Sequence, residues 1–289
     1  FVASSDAFYI LSDAGKLYTS TDARTWRTAP GSKLTYYNLY GGYGDKVLGC
    51  SRKSEDDFFH AYIYSAAEGD KDLGQMSVRM PVDGFSQLAS YESDLALSSQ
   101  VMMVGGADMF GDYSTACWGF DGNEWAQISA NEIPQMYGPM LFPYKVFKVS
   151  SSWVATEFNV LMAIGGKDDN DKANKRVFYS YDNGVYWVEG SELMQFPDYV
   201  PAMVEAQAII ADIQYTRAAF DSDWNTMPSV KLPVWYTPMP LGEPITRGGY
   251  TITWECPYIY VFGGTDLSGN LNNSIWRGVL NRLSFKPLI

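Results

Sequence analysis

Histidine is almost missing from this 289-residue chain, where His60 stands alone. A metal site built on several imidazoles is therefore excluded, and so is a Ser-His-Asp hydrolase, for which no G-x-S-x-G turn exists either. Cysteine is scarce as well. Cys50, Cys117 and Cys256 are isolated and odd in number, so they form no disulfide framework or Cys-x-x-Cys site and are expected to be small buried apolar residues. Basic residues are outnumbered, with 21 Lys and Arg against 33 Asp and Glu and a formal charge of −12. Such a chain lacks the electrostatic footprint for nucleic acid and is repelled by an anionic membrane surface. No apolar run approaches the roughly 18 to 20 residues that span a bilayer. No stretch holds a helical period between capping signals. The chain opens Phe1-Val2-Ala3-Ser4-Ser5, without the basic start and apolar core of a signal peptide, so any export signal is expected upstream. Neither metal nor cofactor is expected.

Aromatic and apolar residues are plentiful, at 16% and 46% of the chain. That is ample material for a large core, and it excludes disorder. The main signal is self-similarity. Val101-Met102-Met103-Val104-Gly105-Gly106-Ala107-Asp108, Val160-Leu161-Met162-Ala163-Ile164-Gly165-Gly166-Lys167-Asp168 and Tyr258-Ile259-Tyr260-Val261-Phe262-Gly263-Gly264-Thr265-Asp266 all read apolar run, then Gly-Gly-x-Asp. An aromatic follows each second glycine at one fixed distance, at Trp118, Phe178 and Trp276. A second pattern, S-x-D-x-G-x-x-W, is complete from Ser180 to Trp187 and shortened at Ser20–Trp26 and Phe120–Trp125, with a weaker echo at Phe220–Trp224. It reads as a tight hairpin: Ser and Asp side chains bond the turn amides, Gly or Asn accepts positive φ, and the Trp tucks into the core.

Between these marks lie short β-branched and aromatic runs bounded by Gly, Asp, Asn and Pro, the pattern of strands. Innermost strands ending near Ser12, Cys50, Gly106, Gly166, Asp212 and Gly264 recur at roughly 40 to 60 residues, one four-stranded sheet per interval. The expected fold is all-β, a six-bladed β-propeller with a seven-bladed alternative, forming one domain over 1–289. The blades are placed at about 1–30, 34–86, 88–132, 140–192, 199–240 and 245–289.

The Gly-Gly-x-Asp units, with Arg247-Gly248-Gly249-Tyr250 opening the last, resemble kelch repeats of the galactose-oxidase type, and the Ser/Asp/Gly/Trp hairpins resemble the Asp-boxes (BNR repeats) of sialidase-type propellers. The combination is similar to exported propeller proteins of Bacteroides-like bacteria, which implies a periplasmic or cell-surface location. In such folds the first strand of each blade starts at the ligand face and the loop between second and third strands returns to it. The Asp-box hairpins point the other way, so Asp22, Asp121 and Asp182 are expected to be scaffold. The copper chemistry of galactose oxidase needs two histidines, which excludes it here. Sialidases clamp a carboxylate with three arginines from separate blades. Only Arg247 stands at an apparent first-strand start, the corresponding positions near Tyr36, Tyr144 and Val200 are not Arg, and Arg176 and Arg217 fall in third strands, so that chemistry is not expected.

The acidic stretch Lys167–Lys172 invites a calcium reading, but a loop of EF-hand type starting at Asp169 would want Gly and Glu where Asn174 and Ser180 stand. It reads as a solvated hairpin loop, and so does Glu55-Asp56-Asp57. Tyr36, Tyr37, Tyr40, Tyr43, Tyr137, Tyr144, Tyr199, Trp235 and Tyr236 fall near unit junctions, where aromatics stack on sugars, fill a partner's pocket or pack between blades. The Pro-rich stretch from Met227 to Pro244 reads as a long connection, a rim or lid. The ligand-binding candidates are Arg247, Tyr144, Tyr37, Asp108, Asp168 and Asp266. The leading expectation is a non-enzymatic module binding a glycan or a cell-envelope protein. A sugar-acting enzyme (hydrolase, lyase or mutarotase) using Asp108, Asp168, Asp266 and Arg247 is the alternative. A pure assembly scaffold, the third reading, would show an exposed apolar patch.

Overall fold

A computed structural model describes residues 2–55, 57–89, 99–149, 155–190, 195–196, 201–211, 246–247, 250–251, 258–273 and 275–278. Every regular element among them is a strand. Four antiparallel sheets follow one another along the chain, each with its strands in sequence order. The first holds β1 (Val2–Ala3), β2 (Phe8–Leu11), β3 (Leu17–Ser20) and β4 (Arg27–Thr28), and the second β5 (Asn38–Tyr43), β6 (Lys46–Ser51), β7 (His60–Ser65) and β8 (Gly69–Gln75). The third holds β9 (Asp83–Ala89), β10 (Val101–Ala107), β11 (Cys117–Phe120) and β12 (Trp125–Gln127), and the fourth β13 (Met140–Val149), β14 (Ala155–Ile164), β15 (Val177–Ser180) and β16 (Val188–Glu189). A fifth joins β17 (Gln207–Ala211), β20 (Tyr258–Phe262) and β21 (Trp276–Gly278), and the short pair β18 (Thr246–Arg247) and β19 (Tyr250–Thr251) lies between them in sequence.

The first strands β1, β5, β9, β13 and β17 touch one another in that order, so the sheets are arranged about a common hub. A β-propeller results. Each gap between sheets is filled by its own apolar cluster. Val2, Tyr9 and Leu17 meet Leu39, Val47 and Tyr64 between the first two sheets, and Leu48 and Ile63 meet Val101, Met103 and Phe120 in the next gap. Met102, Val104 and Cys117 meet Leu141, Leu161 and Phe178, and Phe142, Tyr144 and Met162 meet Ile259 and Val261. Strand periodicity explains the division, since Val101 and Met103 point to one neighbouring sheet while Met102 and Val104 point to the other. A strand buried on both faces reads as an unbroken apolar run, which is why these segments stand out in the sequence.

Two expectations need correction. The Gly-Gly strands β10, β14 and β20 are second strands and not the innermost ones, because β9, β13 and β17 stand between them and the hub. In addition, β17 pairs β20 from Gln207–Phe262 to Ala211–Tyr258, which joins a strand expected in the fifth unit to one expected in the sixth.

The double glycine is explained by packing. Gly106, Gly166 and Gly264 hold φ of 87°, 77° and 69°, and a Cβ on any of them would lie 2.4 Å from a backbone carbonyl oxygen, that of Asp83, Tyr137 or Val204. The amides of Gly106 and Gly166 bond the carbonyls of Met136 and Met203 in the segment leading to the next sheet, both at 2.7 Å. The amide bonds join neighbouring blades, while the missing Cβ lets each glycine lie against the start of the first strand of its own sheet, an approach only glycine permits.

Candidate functional site

One face of the propeller is built from the β2–β3, β6–β7, β10–β11, β14–β15 and β20–β21 turns together with the segments entering each new first strand. Three of these turns share one construction. Asp108 accepts the amides of Phe110 and Asp112 on Oδ1 at 2.8 and 3.1 Å, Asp168 those of Asn170 and Lys172 at 2.9 Å each, and Asp266 those of Ser268 and Asn270 at 2.8 and 2.9 Å. Bonds to Asn270 side chain and backbone hold the Asp266 carboxyl below its usual range. Each loop is thus tied internally by its own carboxylate.

At the joint of the third and fourth sheets, Tyr137 donates its hydroxyl to Asp83 Oδ2 at 2.8 Å. Burial first and Asp83 second push the Tyr137 phenol upward, so it stays protonated. Its ring lies over Gly84, where a Cβ would come within 2.2 Å of it, and Lys167 Nζ sits 5.0 Å from its centroid on the way to Asp171 at 2.7 Å. Tyr113 completes the group, 5.5 Å from Tyr137 between centroids and hydrogen-bonded to Asp171 at 3.3 Å. Glu205 precedes β17, exposed to solvent; partial desolvation and then the charge of Asp83 push its carboxyl upward. It holds a φ of 56°, a left-handed conformation in a residue with a side chain.

Apolar side chains stand out on this face. Phe110 is 64% exposed and Leu271 77%, and Tyr37, Phe58, Leu267 and Ile275 are each close to half exposed. Tyr37 packs edge-on against Phe59 at 4.9 Å, with the Arg52 guanidinium over both rings.

Among the described residues, the sequence candidates are not gathered into one pocket. Tyr37 is on the face. Asp108, Asp168 and Asp266 lie in three separate loops, each engaged by its own turn. Tyr144 lies in the core at 2% exposure: β13 begins at Met140, so Tyr144 falls inside the strand and packs with Phe142 and Val160, and its placement as a ligand contact is corrected on that ground. The backbone of Arg247 pairs Tyr250, and its side chain lies outside the described residues, as do the Met227–Pro244 stretch, Arg217, Tyr199, Val200, Trp235, Tyr236, Asp56 and Cys256. Asp83 and Glu205 carried no sequence motif. The only hint was their position, Asp83 at the start of a first strand and Glu205 two residues before one.

The opposite face carries the β3–β4, β11–β12 and β15–β16 hairpins. Asp22 accepts the amides of Thr25 and Arg24 at 2.7 and 2.8 Å, which with Ser20 holds its carboxyl down to about 2, and Asp121 caps its turn likewise. Asp182 takes the amide of Tyr186 and the Ser180 hydroxyl, both at 2.8 Å, while Trp187 is buried and donates Nε1–H to Gly184 O at 2.9 Å. His60 Nδ1 meets Asp72 at 3.0 Å between β7 and β8. Among the described residues, no three His, Cys, Asp or Glu side chains converge to hold a metal ion, and no helix is long and apolar enough to cross a membrane.

No curated protein matches the sequence. Among solved structures, the one titled "Structure of YjhT" is similar over 95% of this chain and 92% of that one, at 11% identity and a TM-score of 0.48. The model of the DUF6242 beta propeller domain matches residues 1–288, and the chain belongs to that family.

Proposed function

We propose that this propeller is a non-enzymatic binding module of a bacterial cell envelope, which presents the face bearing the Asp-tied loops to a glycan or protein partner. One observation carries the reading: among the described residues, Tyr37, Phe58, Phe110, Leu267, Leu271 and Ile275 expose apolar side chains on that face, against Tyr181, Tyr186 and Val188 on the other. Large apolar groups held in water on internally bonded loops lose little conformational freedom on binding, the property expected of a recognition surface. The alternative of a sugar-acting enzyme would use Asp108, Asp168, Asp266 and Arg247. Bonds from backbone amides within each loop suit the three carboxylates to turn closure better than to proton transfer.

The test is a glycan array and a panel of envelope-protein ligands screened with the parent domain, a Phe110→Ser/Leu271→Ser variant and a Tyr186→Ser variant on the opposite face. Binding lost only in the first variant is the expected result. Binding retained there and lost in Tyr186→Ser would place the ligand on the other face.

A further inference from the structure

Acidic and apolar groups alternate on this face. Phe58 follows the exposed Asp57, Phe110 stands two residues before Asp112, which pairs with Arg79 at 3.1 Å, and Leu267 follows Asp266. Nearer the hub, Asp83 opens β9 and takes the Tyr137 hydroxyl at 2.8 Å, Glu205 stands just before β17 with its amide on the carbonyl of the adjoining Gly138 at 2.8 Å, and among the described residues neither carboxylate has a Lys, Arg or His nitrogen within 4.0 Å. Two carboxylates without a cation thus lie at the inner end of loops whose tips are apolar, on a chain of formal charge −12.

We infer that the occupant of this face is a protein segment whose apolar side chains are flanked by lysine or arginine, with one cationic side chain received by Asp83 and Glu205. The inference rests on the proposed binding face and names its partner. Charge complementarity favours a basic segment and steers its approach. A sugar is the poorer match, because three of the six exposed apolar side chains, Leu267, Leu271 and Ile275, offer no aromatic plane beside Tyr37, Phe58 and Phe110, and the ring of Tyr137 already lies against Gly84 and Lys167. Apolar tips surrounding a charged centre suit a partner that brings both kinds of group.

The test places a photo-crosslinking phenylalanine analogue at position 110, 271 or 186 in the full chain, in cells that express it, and sequences the cross-linked peptide. Expected are cross-links to one protein from 110 and 271 and not from 186, through a peptide carrying Lys or Arg beside apolar residues. Yield should fall about fivefold or more in Glu205→Gln and on raising salt to about 0.5 M. Glu205→Gln keeps the side-chain shape, and a melting temperature no lower than the parent's separates lost contact from lost fold. A cross-linked peptide without basic residues, or a yield insensitive to both Glu205→Gln and salt, overturns the inference and leaves the binding face standing. Glycan binding abolished by Phe110→Ser, with no protein cross-linked, does the same. Cross-links from 186 alone overturn both.

Discussion

The amide of Glu205 bonds the carbonyl of Gly138 at 2.8 Å, repeating one blade further on the bond that Gly138 makes to Gly84 at 2.6 Å. All three residues are left-handed, with φ of 59° at Gly84, 65° at Gly138 and 56° at Glu205. At Gly84 a Cβ would strike the Tyr137 ring, and at Gly138 it would lie 2.6 Å from Val204 and 2.7 Å from the Glu205 nitrogen. The third step alone carries a side chain.

Glu205→Gly should therefore stabilise the fold by about 1 kcal/mol, the strain of a left-handed L-residue less the added freedom of glycine in the unfolded chain. Urea denaturation of the two proteins measures it. Destabilisation would mean that the side chain is held by contacts that outweigh the strain.

Gly106→Ala and Gly111→Ala separate close approach from conformation, since both glycines have φ of 87° but only Gly106 has backbone within reach of a new Cβ. Gly111→Ala should cost about 1 kcal/mol and Gly106→Ala about 2 to 5, from strain together with overpacking. Equal costs in denaturant titrations would remove close approach to the first strand as the role of the second glycine.

Trp187 ties the fourth sheet to the segment leaving the third: its backbone amide donates to Asn131 Oδ1 at 2.9 Å and its carbonyl accepts from Asn131 Nδ2 at 2.8 Å. Truncation to Ala should cost about 3 to 5 kcal/mol through the emptied indole site. The same change at the half-buried Trp26 should cost clearly less, as compared by thermal unfolding.

Two sets of carboxyls act in opposite directions with pH. Asp22, Asp121 and Asp266 have folded values below their usual 3.8, so their contribution is complete above that value and is lost as pH falls through the lowered values, about 2 for Asp22. Glu205 has a folded value above its usual 4.5, so its contribution is complete below 4.5 and is lost as pH rises past the raised value. Melting temperatures across pH should show Asp22→Asn less stable than the parent at neutral pH and close to it near pH 2. Glu205→Gln should gain on the parent at neutral pH and match it below about 4.

The parts legible in the sequence are those whose backbone demands a particular residue type. Gly105-Gly106, the loop-closing Asp108, Asp168 and Asp266, and the Ser180–Trp187 hairpin all need positive φ or a local acceptor, and these needs leave letters behind. The radial order of strands left no such mark. An apolar run such as Val101–Val104 looks innermost because it is buried on both faces, yet the hub strand Asp83–Ala89 is the more mixed of the two, with half-buried residues near the axis. Tyr144 follows Pro143, which reads as a strand boundary, but the strand begins at Met140 directly after Gly138-Pro139 and runs on through Pro143. Asp83 and Glu205 are single carboxylates whose meaning comes from the neighbours that the fold supplies.

The measurement closest to the central claim compares the dissociation constant of the domain's partner for two double variants, Phe110→Ser/Leu271→Ser and Tyr181→Ser/Tyr186→Ser. These remove exposed apolar groups from opposite faces of the propeller. The first should weaken binding tenfold or more, by about 1.4 kcal/mol, and the second less than about twofold. The reverse order would contradict the account.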